Sequence, residues 1–123
     1  VYTPQPTINY ENYVKWCYSD YANQHGWALL ENALGAEIKV IVPIPKSDSK
    51  KIRALKLSGQ IRPTMKPDAD NIAKSVLDAL NGIAYVDDKQ IVKLMVDKWY
   101  GEEPCVHVKL IELKGEENAN NQV

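Results

Sequence analysis

Asp68 and Asp70 stand two residues apart, and Lys74 follows four residues after Asp70. In an extended segment, side chains at i and i+2 point to the same side. Pro63 and Pro67 favour a non-helical path through this stretch, so both carboxylates can face one cation. A hard ion such as Mg²⁺ takes oxygen ligands and keeps several waters, so two or three carboxylates suffice. Once a helix has begun, Lys74 is the neighbour of Asp70 on one face. An ammonium there can neutralise charge developing on a phosphate or orient an attacking water. The paired acids Asp87-Asp88 come later, in a turn after that helix. If the chain folds back past the helix start, one of them completes the set. The chemistry such a constellation serves is metal-assisted hydrolysis of a phosphodiester.

Taken singly, each piece also has a structural explanation. Asp70 is equally an N-cap, with Asp68 drawn to the positive helix end. Lys74 can pair with Asp78 at i, i+4. Asp87-Asp88 can be an ordinary turn, where aspartate is common.

The charges are unevenly distributed. Net charge is −1, which alone says nothing of nucleic acid. Yet Lys46, Lys50, Lys51, Arg53, Lys56, Arg62 and Lys66 crowd one stretch, opposed only by Asp48. From Asp68 to Glu103 acids dominate. A basic stretch beside an acidic cluster suits a nuclease, with cations on the phosphate backbone and carboxylates at the bond to be cut. A solvated surface loop is the other reading of such a lysine cluster.

Length and composition bound the rest. At 123 residues the chain accommodates one domain, and 45% hydrophobic with 25% charged residues is ordinary for a globular protein. No apolar run is long enough for a membrane span, and no signal peptide is visible, so a cytoplasmic location is expected. There is no initiator methionine, which leads us to expect that the natural protein starts earlier. Cys17 and Cys105 are expected to be reduced and half-buried; with His25 and His107 single, no zinc ligand set suggests itself.

Elements to position the site follow from pattern. Thr7 can cap a helix whose face carries Tyr10, Val14, Cys17 and Tyr21, and helical character is expected to resume through Trp27, Leu30 and Leu34 up to Gly35. Ile38, Val40, Val42 and Ile44 alternate with Glu37 and Lys39 as a half-buried strand, whose end Pro43 and Pro45 place at an edge. Ser47-Asp48-Ser49 caps a short helix ending at Ser58-Gly59. Ile61 to Pro67, which contains two prolines, is expected to be extended or looped. Ile72, Ala73, Val76, Leu77 and Leu80 mark a second clear helix stopped by Asn81-Gly82. Two further strands, around Val92 to Val96 and Val106 to Leu110, are joined by Gly101 to Pro104 as a hairpin. Tryptophans and tyrosines show no alternation with cations and are expected in the core and at interfaces. The expected fold is a single α+β domain over 1–114, a small mixed sheet with helices packed on it, followed by a disordered tail over 115–123.

The segment Lys66 to Val92, KPDADNIAKSVLDALNGIAYVDDKQIV, strongly resembles the RusA family of Holliday-junction resolvases, often carried by prophages. The resemblance runs more loosely from Tyr2 to Leu113, through Tyr2-Thr3-Pro4, Val42-Pro43-Ile44-Pro45-Lys46 and Lys98-Trp99-Tyr100. It implies a small α+β homodimer that cuts four-way DNA junctions with Mg²⁺, in recombination and repair. It implies metal-binding aspartates at Asp68, Asp70 and Asp88 and an essential lysine at Lys74, with Asp87 of less defined role. The seven cations from Lys46 to Lys66 would then grip the DNA backbone. Two symmetric cuts call for two sites, which a two-fold dimer supplies. The family usually opens with a further strand and a basic segment ahead of Tyr2-Thr3-Pro4, and neither precedes Val1 in this sequence. The rival readings are a non-catalytic DNA-binding protein of phage recombination and an interaction module with an incidental charge split. Neither needs Asp-x-Asp-Asn-x-x-Lys followed by Asp-Asp.

Overall fold

The computed structural model describes residues 6–113. Its elements run α1 (Pro6–His25), β1 (Leu34–Pro43), α2 (Lys50–Leu57), α3 (Ala69–Leu80), a 3-10 turn (Asp88–Gln90), β2 (Ile91–Gly101) and β3 (Cys105–Glu112). The three-stranded mixed sheet and its helices make the expected α+β architecture. The segment Tyr2-Thr3-Pro4, the side chain of Tyr10 and the tail 115–123 lie outside the described residues.

Helix α3 is the element best explained by its sequence. Ile72, Ala73, Val76, Ala79 and Leu80 recur on one face, and all five are buried. Ile72, Ala73, Val76 and Leu80 pack with Leu34, Ile38, Val40, Ala84 and Tyr85 into one core. Complete burial of side chains such as Val76 or Leu80 stabilises the fold by about 1.5–3 kcal/mol each. Helix α2 forms as expected: Ser49 caps it by accepting from the Ile52 N–H at 3.2 Å, and Ser58-Gly59 closes it. Gly59 has φ +85°, and a Cβ there would lie 2.7 Å from the Trp99 ring. Only glycine satisfies both demands.

Helix α1 corrects two expectations. It begins at Pro6, so Thr7 lies inside it. Proline suits a first helical position, where its missing N–H costs nothing. The helix does not resume after Gly26, which adopts φ +67° and ends it. The chain from Trp27 to Ala33 forms no helix, the Leu30 N–H bonds to the Ala84 carbonyl, and Leu34 and Gly35 already belong to β1.

The sheet order is β2-β1-β3, with β1 parallel to β2 and antiparallel to β3. Two expectations fail here. β1 is the central strand, so its proline-marked end does not lie at a sheet edge; Pro43 is its last residue. And β2 and β3, though joined by only Glu102-Glu103-Pro104, do not pair with each other. They straddle β1. Gly101 makes this possible, since a Cβ there would stand 2.5 Å from Ile41 Cγ2.

The aromatics divide. Tyr85 and Tyr100 are buried as expected, but Trp16 and Trp27 are exposed. Cys17 is half-buried, whereas Cys105 is exposed, its Sγ 3.3 Å from His107 Nε2. No described helix is long and apolar enough to cross a membrane.

Candidate active site

The approach to α3 is built by Ile61–Pro67, which has no regular structure and is tied down by side chains. The Arg62 Nε–H donates to the Lys98 carbonyl at 2.8 Å, and its guanidinium stacks 3.4 Å over the Trp99 ring. The Lys98 ammonium donates in turn to the Met65 carbonyl at 2.6 Å. The segment is therefore fastened to the C-terminal half of β2, and it delivers the chain to Asp68 in an extended conformation (φ −69°, ψ 150°).

Asp68, not Asp70, occupies the N-cap position, and its carboxylate makes no capping hydrogen bond. Asp70 lies in the first turn, its Oδ1 accepting only the adjacent Asn71 N–H at 3.0 Å. Both residues are exposed. The capping explanation thus leaves both carboxylates largely unused, at a helix N-terminus whose free N–H groups and dipole attract anions. Such an end also favours a phosphate.

Lys74 is exposed, one turn beyond Asp70, and makes no ion pair with Asp78. It borders a groove of about 720 Å³. The groove lies between the C-terminal half of β1 and α3, with Val42, Pro43, Pro67, Asn71, Lys74 and Asp78 among its walls. Its floor is apolar and its rim carries both signs of charge. A lysine there is placed to meet an anion lying along the helix start.

Asp87 and Asp88 sit elsewhere. Tyr85 is fully buried and its hydroxyl donates to the Leu77 carbonyl, which pins the following loop to the last turns of α3. Burial, then the charges of Asp88, Asp78 and Asp87, push its phenol well above the ordinary range. Asp87 caps the 3-10 turn, accepting from the Lys89 N–H at 3.0 Å, while the Gln90 side chain accepts from the Asp87 N–H. That N–H donor holds the Asp87 carboxyl below the usual carboxylate range, and Asp88, sharing a hydrogen bond with it, is shifted upward. Gln90 completes the anchoring by donating to the Leu30 and Asn32 carbonyls. The charge of Asp78, in the last turns of α3, reaches Asp88.

Asp88 and the pair Asp68/Asp70 consequently belong to opposite ends of α3, a helix of 12 residues, or about 18 Å. Among the described residues, no three His, Cys, Asp or Glu side chains gather as a metal-binding group.

The seven cations also divide. Lys56 pairs with Asp48, lies over the Tyr100 ring at 4.5 Å and is only 12% exposed. Arg53 bridges Glu102 at 3.1 Å, and Arg62 is engaged as described, with Asp97 a further 3.8 Å contact. Lys46, Lys50, Lys51 and Lys66 are exposed and make none of the ion pairs found among the described residues. The Arg62–Trp99 stack was not readable from sequence, because its partners are 37 positions apart and share no local pattern. Nor did any signal single out Tyr85 as the residue that positions the Asp87-Asp88 loop.

Comparison with known proteins supplies the context for this arrangement. The family model for endodeoxyribonuclease RusA matches residues 1–111. The uncharacterized protein YqaN of Bacillus subtilis (strain 168) is 44% identical over 95 residues, covering 75% of this chain and 67% of that protein. No solved structure matches.

Proposed function

As the chain belongs to the RusA family of endodeoxyribonucleases, we propose that it cuts four-way DNA junctions in recombination and repair, as a homodimer with Mg²⁺ as its cofactor. The observation that carries this reading is the pair of uncommitted carboxylates, Asp68 and Asp70, at the exposed start of α3 with Lys74 one turn above them. A fold that needed only a helix cap would use the Asp68 side chain, and it does not.

Held by Asp68 and Asp70, a bound cation would supply Lewis acidity and charge at the scissile phosphate. The chain's own part is to position. The anchored 61–67 segment holds Asp68 and Asp70 on the solvent side of the helix start. Lys74 stabilises negative charge on the phosphate. Lys46, Lys50, Lys51 and Lys66 hold the flanking backbone by charge, reading the shape of the junction rather than its sequence. In this reading the grip narrows from seven cations to these four, because Arg53, Lys56 and Arg62 have structural partners.

A band-shift and cleavage assay with a synthetic four-way junction and a linear duplex of the same sequence tests the proposal. Preferential junction binding with Mg²⁺-dependent nicking is expected; equal affinity for both DNAs and no nicking overturns it. Lys74→Ala is expected to bind the junction normally and to cut about a hundredfold more slowly, the scale of losing one charge-stabilising group.

The division of the cations gives a separate prediction. Lys50→Ala/Lys51→Ala should keep its thermal stability and lower the slope of log affinity against log salt by about two, one for each lost phosphate contact. Lys56→Ala should leave that slope unchanged and instead lose about 2 kcal/mol of stability with its charged hydrogen bond to Asp48. Salt titration of junction binding and urea unfolding of both variants separate the two roles.

A further inference from the structure

Resting on the proposed role of Asp68 and Asp70 as cation ligands, we infer that Lys98 is a positioning residue for them. It acts at a distance, through the Met65 carbonyl, with the Arg62–Trp99 stack as its counterpart. The chain from Arg62 to Pro67 belongs to no helix or strand, and among the described residues it makes no backbone–backbone hydrogen bond. Backbone with so few internal bonds opens locally at little cost. Yet this segment leads directly into Asp68, three positions beyond Met65, and then into Asp70.

Two ties from one stretch of β2 hold the segment instead. At its start, the Arg62 Nε–H donates to the Lys98 carbonyl at 2.8 Å while the guanidinium lies 3.4 Å over the Trp99 ring. Three residues on, the half-buried Lys98 ammonium donates to the Met65 carbonyl at 2.6 Å. Lys98 and Trp99 are consecutive in a strand, so their side chains leave it on opposite faces. The segment is thus gripped from both faces of β2. Neither tie supports the core, since Arg62, Met65, Lys98 and Trp99 all stand outside the cluster that α3 builds with β1.

The consequence is chemical rather than architectural. The Asp68 side chain makes no capping bond, and Asp70 touches only the adjacent Asn71 N–H. Their placement therefore depends on the backbone that carries them. Helix α3 fixes that backbone from one side and Lys98 fixes it from the other. Ligands must be held within roughly 0.5 Å of their working geometry, and a group that orients ligands from behind is worth about ten- to a hundredfold in metal affinity or rate. Lys98 spends its charge on a carbonyl of its own chain, which sets it apart from the exposed Lys46, Lys50, Lys51 and Lys66.

The test compares Lys98→Met, which keeps an unbranched stem but has no donor, with Lys98→Arg, which restores a cationic donor. Mn²⁺ affinity is read by electron paramagnetic resonance, loop opening by amide hydrogen exchange, and junction binding in EDTA by salt titration. Lys98→Met should weaken Mn²⁺ binding by about tenfold or more and speed exchange at residues 64–66. Exchange in α3, the urea midpoint and the salt slope of junction binding should stay at wild-type values. Lys98→Arg should recover most of the Mn²⁺ affinity. Trp99→Leu, which removes the stack on the other face, should weaken Mn²⁺ binding in the same direction. Mn²⁺ affinity of Lys98→Met within twofold of wild type overturns the inference. A salt slope lowered by about one with Mn²⁺ affinity intact also overturns it and makes Lys98 a phosphate contact. If both Lys98 variants lose α3 protection together, Lys98 serves the fold and the inference fails. The Mn²⁺ and exchange readings do not depend on cutting, so a wild type that binds Mn²⁺ but leaves the junction intact contradicts the proposed reaction and not the role of Lys98. A wild type that binds no Mn²⁺ contradicts both.

Discussion

Asp70→Asn is expected to slow Mg²⁺-dependent junction cleavage by at least about a hundredfold, the scale of removing one group that stabilises charge in the reaction, while junction affinity in EDTA stays within twofold of wild type. The reasoning is local. Asp70 is exposed, touches only the neighbouring N–H of Asn71, and buries nothing. Asparagine keeps its size and one acceptor oxygen, so the helix start survives. What is lost is a negative charge. Single-turnover rates at saturating protein, with affinity measured in parallel, separate the effects. Wild-type cutting by the variant would remove Asp70 from the site. A variant that binds poorly and melts early would mean that Asp70 serves the fold, as the capping explanation of such residues supposes.

Tyr85→Ala is expected to cost about 3–5 kcal/mol, the range for deleting a buried aromatic side chain, out of a total that for domains of this kind is about 5–15 kcal/mol. Among the described residues Tyr85 is the largest fully buried side chain, and its hydroxyl is bonded inside the protein. Tyr85→Phe keeps the ring and should cost about 1 kcal/mol, the net worth of one hydrogen bond, with the Leu77 carbonyl left without that donor. Urea unfolding measures both. A loss below 1 kcal/mol for the alanine variant would show that Tyr85 does not hold the Asp87-Asp88 loop to α3.

Helices α2 and α3 were legible because their information is local: a capping serine, a 3.6-residue apolar period, a glycine or asparagine at the stop. The strands were legible as strands, since alternation is also local. Their partners were not. Glu102-Glu103-Pro104 looks like any hairpin turn, and nothing in β2 or β3 announces that β1 comes between them. Prolines that read as an edge signal only mark the end of a central strand. Trp27 to Gly35 carried helical spacing, yet Gly26 in the left-handed region stops α1, and pairing with Tyr85 and β2 takes the rest. At the site, the motif itself was plain in the sequence, and the structure places Asp68, Asp70 and Lys74 round one helix start. The fate of each cation depended on long-range partners such as Asp48, Glu102 and Trp99, which no spacing rule reveals. The separation of Asp88 from the other aspartates follows from the 12 residues of α3 that lie between them, with the Asp87-Asp88 loop pinned to its last turns.

The central claim is that this chain cuts branched DNA with a divalent cation, and nicking of a four-way junction by the wild-type protein across a Mg²⁺ titration tests it most directly. No nicks are expected in EDTA, saturable nicking at paired positions across the junction is expected as Mg²⁺ rises, and a linear duplex of the same sequence should stay uncut. A junction that is bound with and without Mg²⁺ while its strands stay intact at every concentration would contradict it.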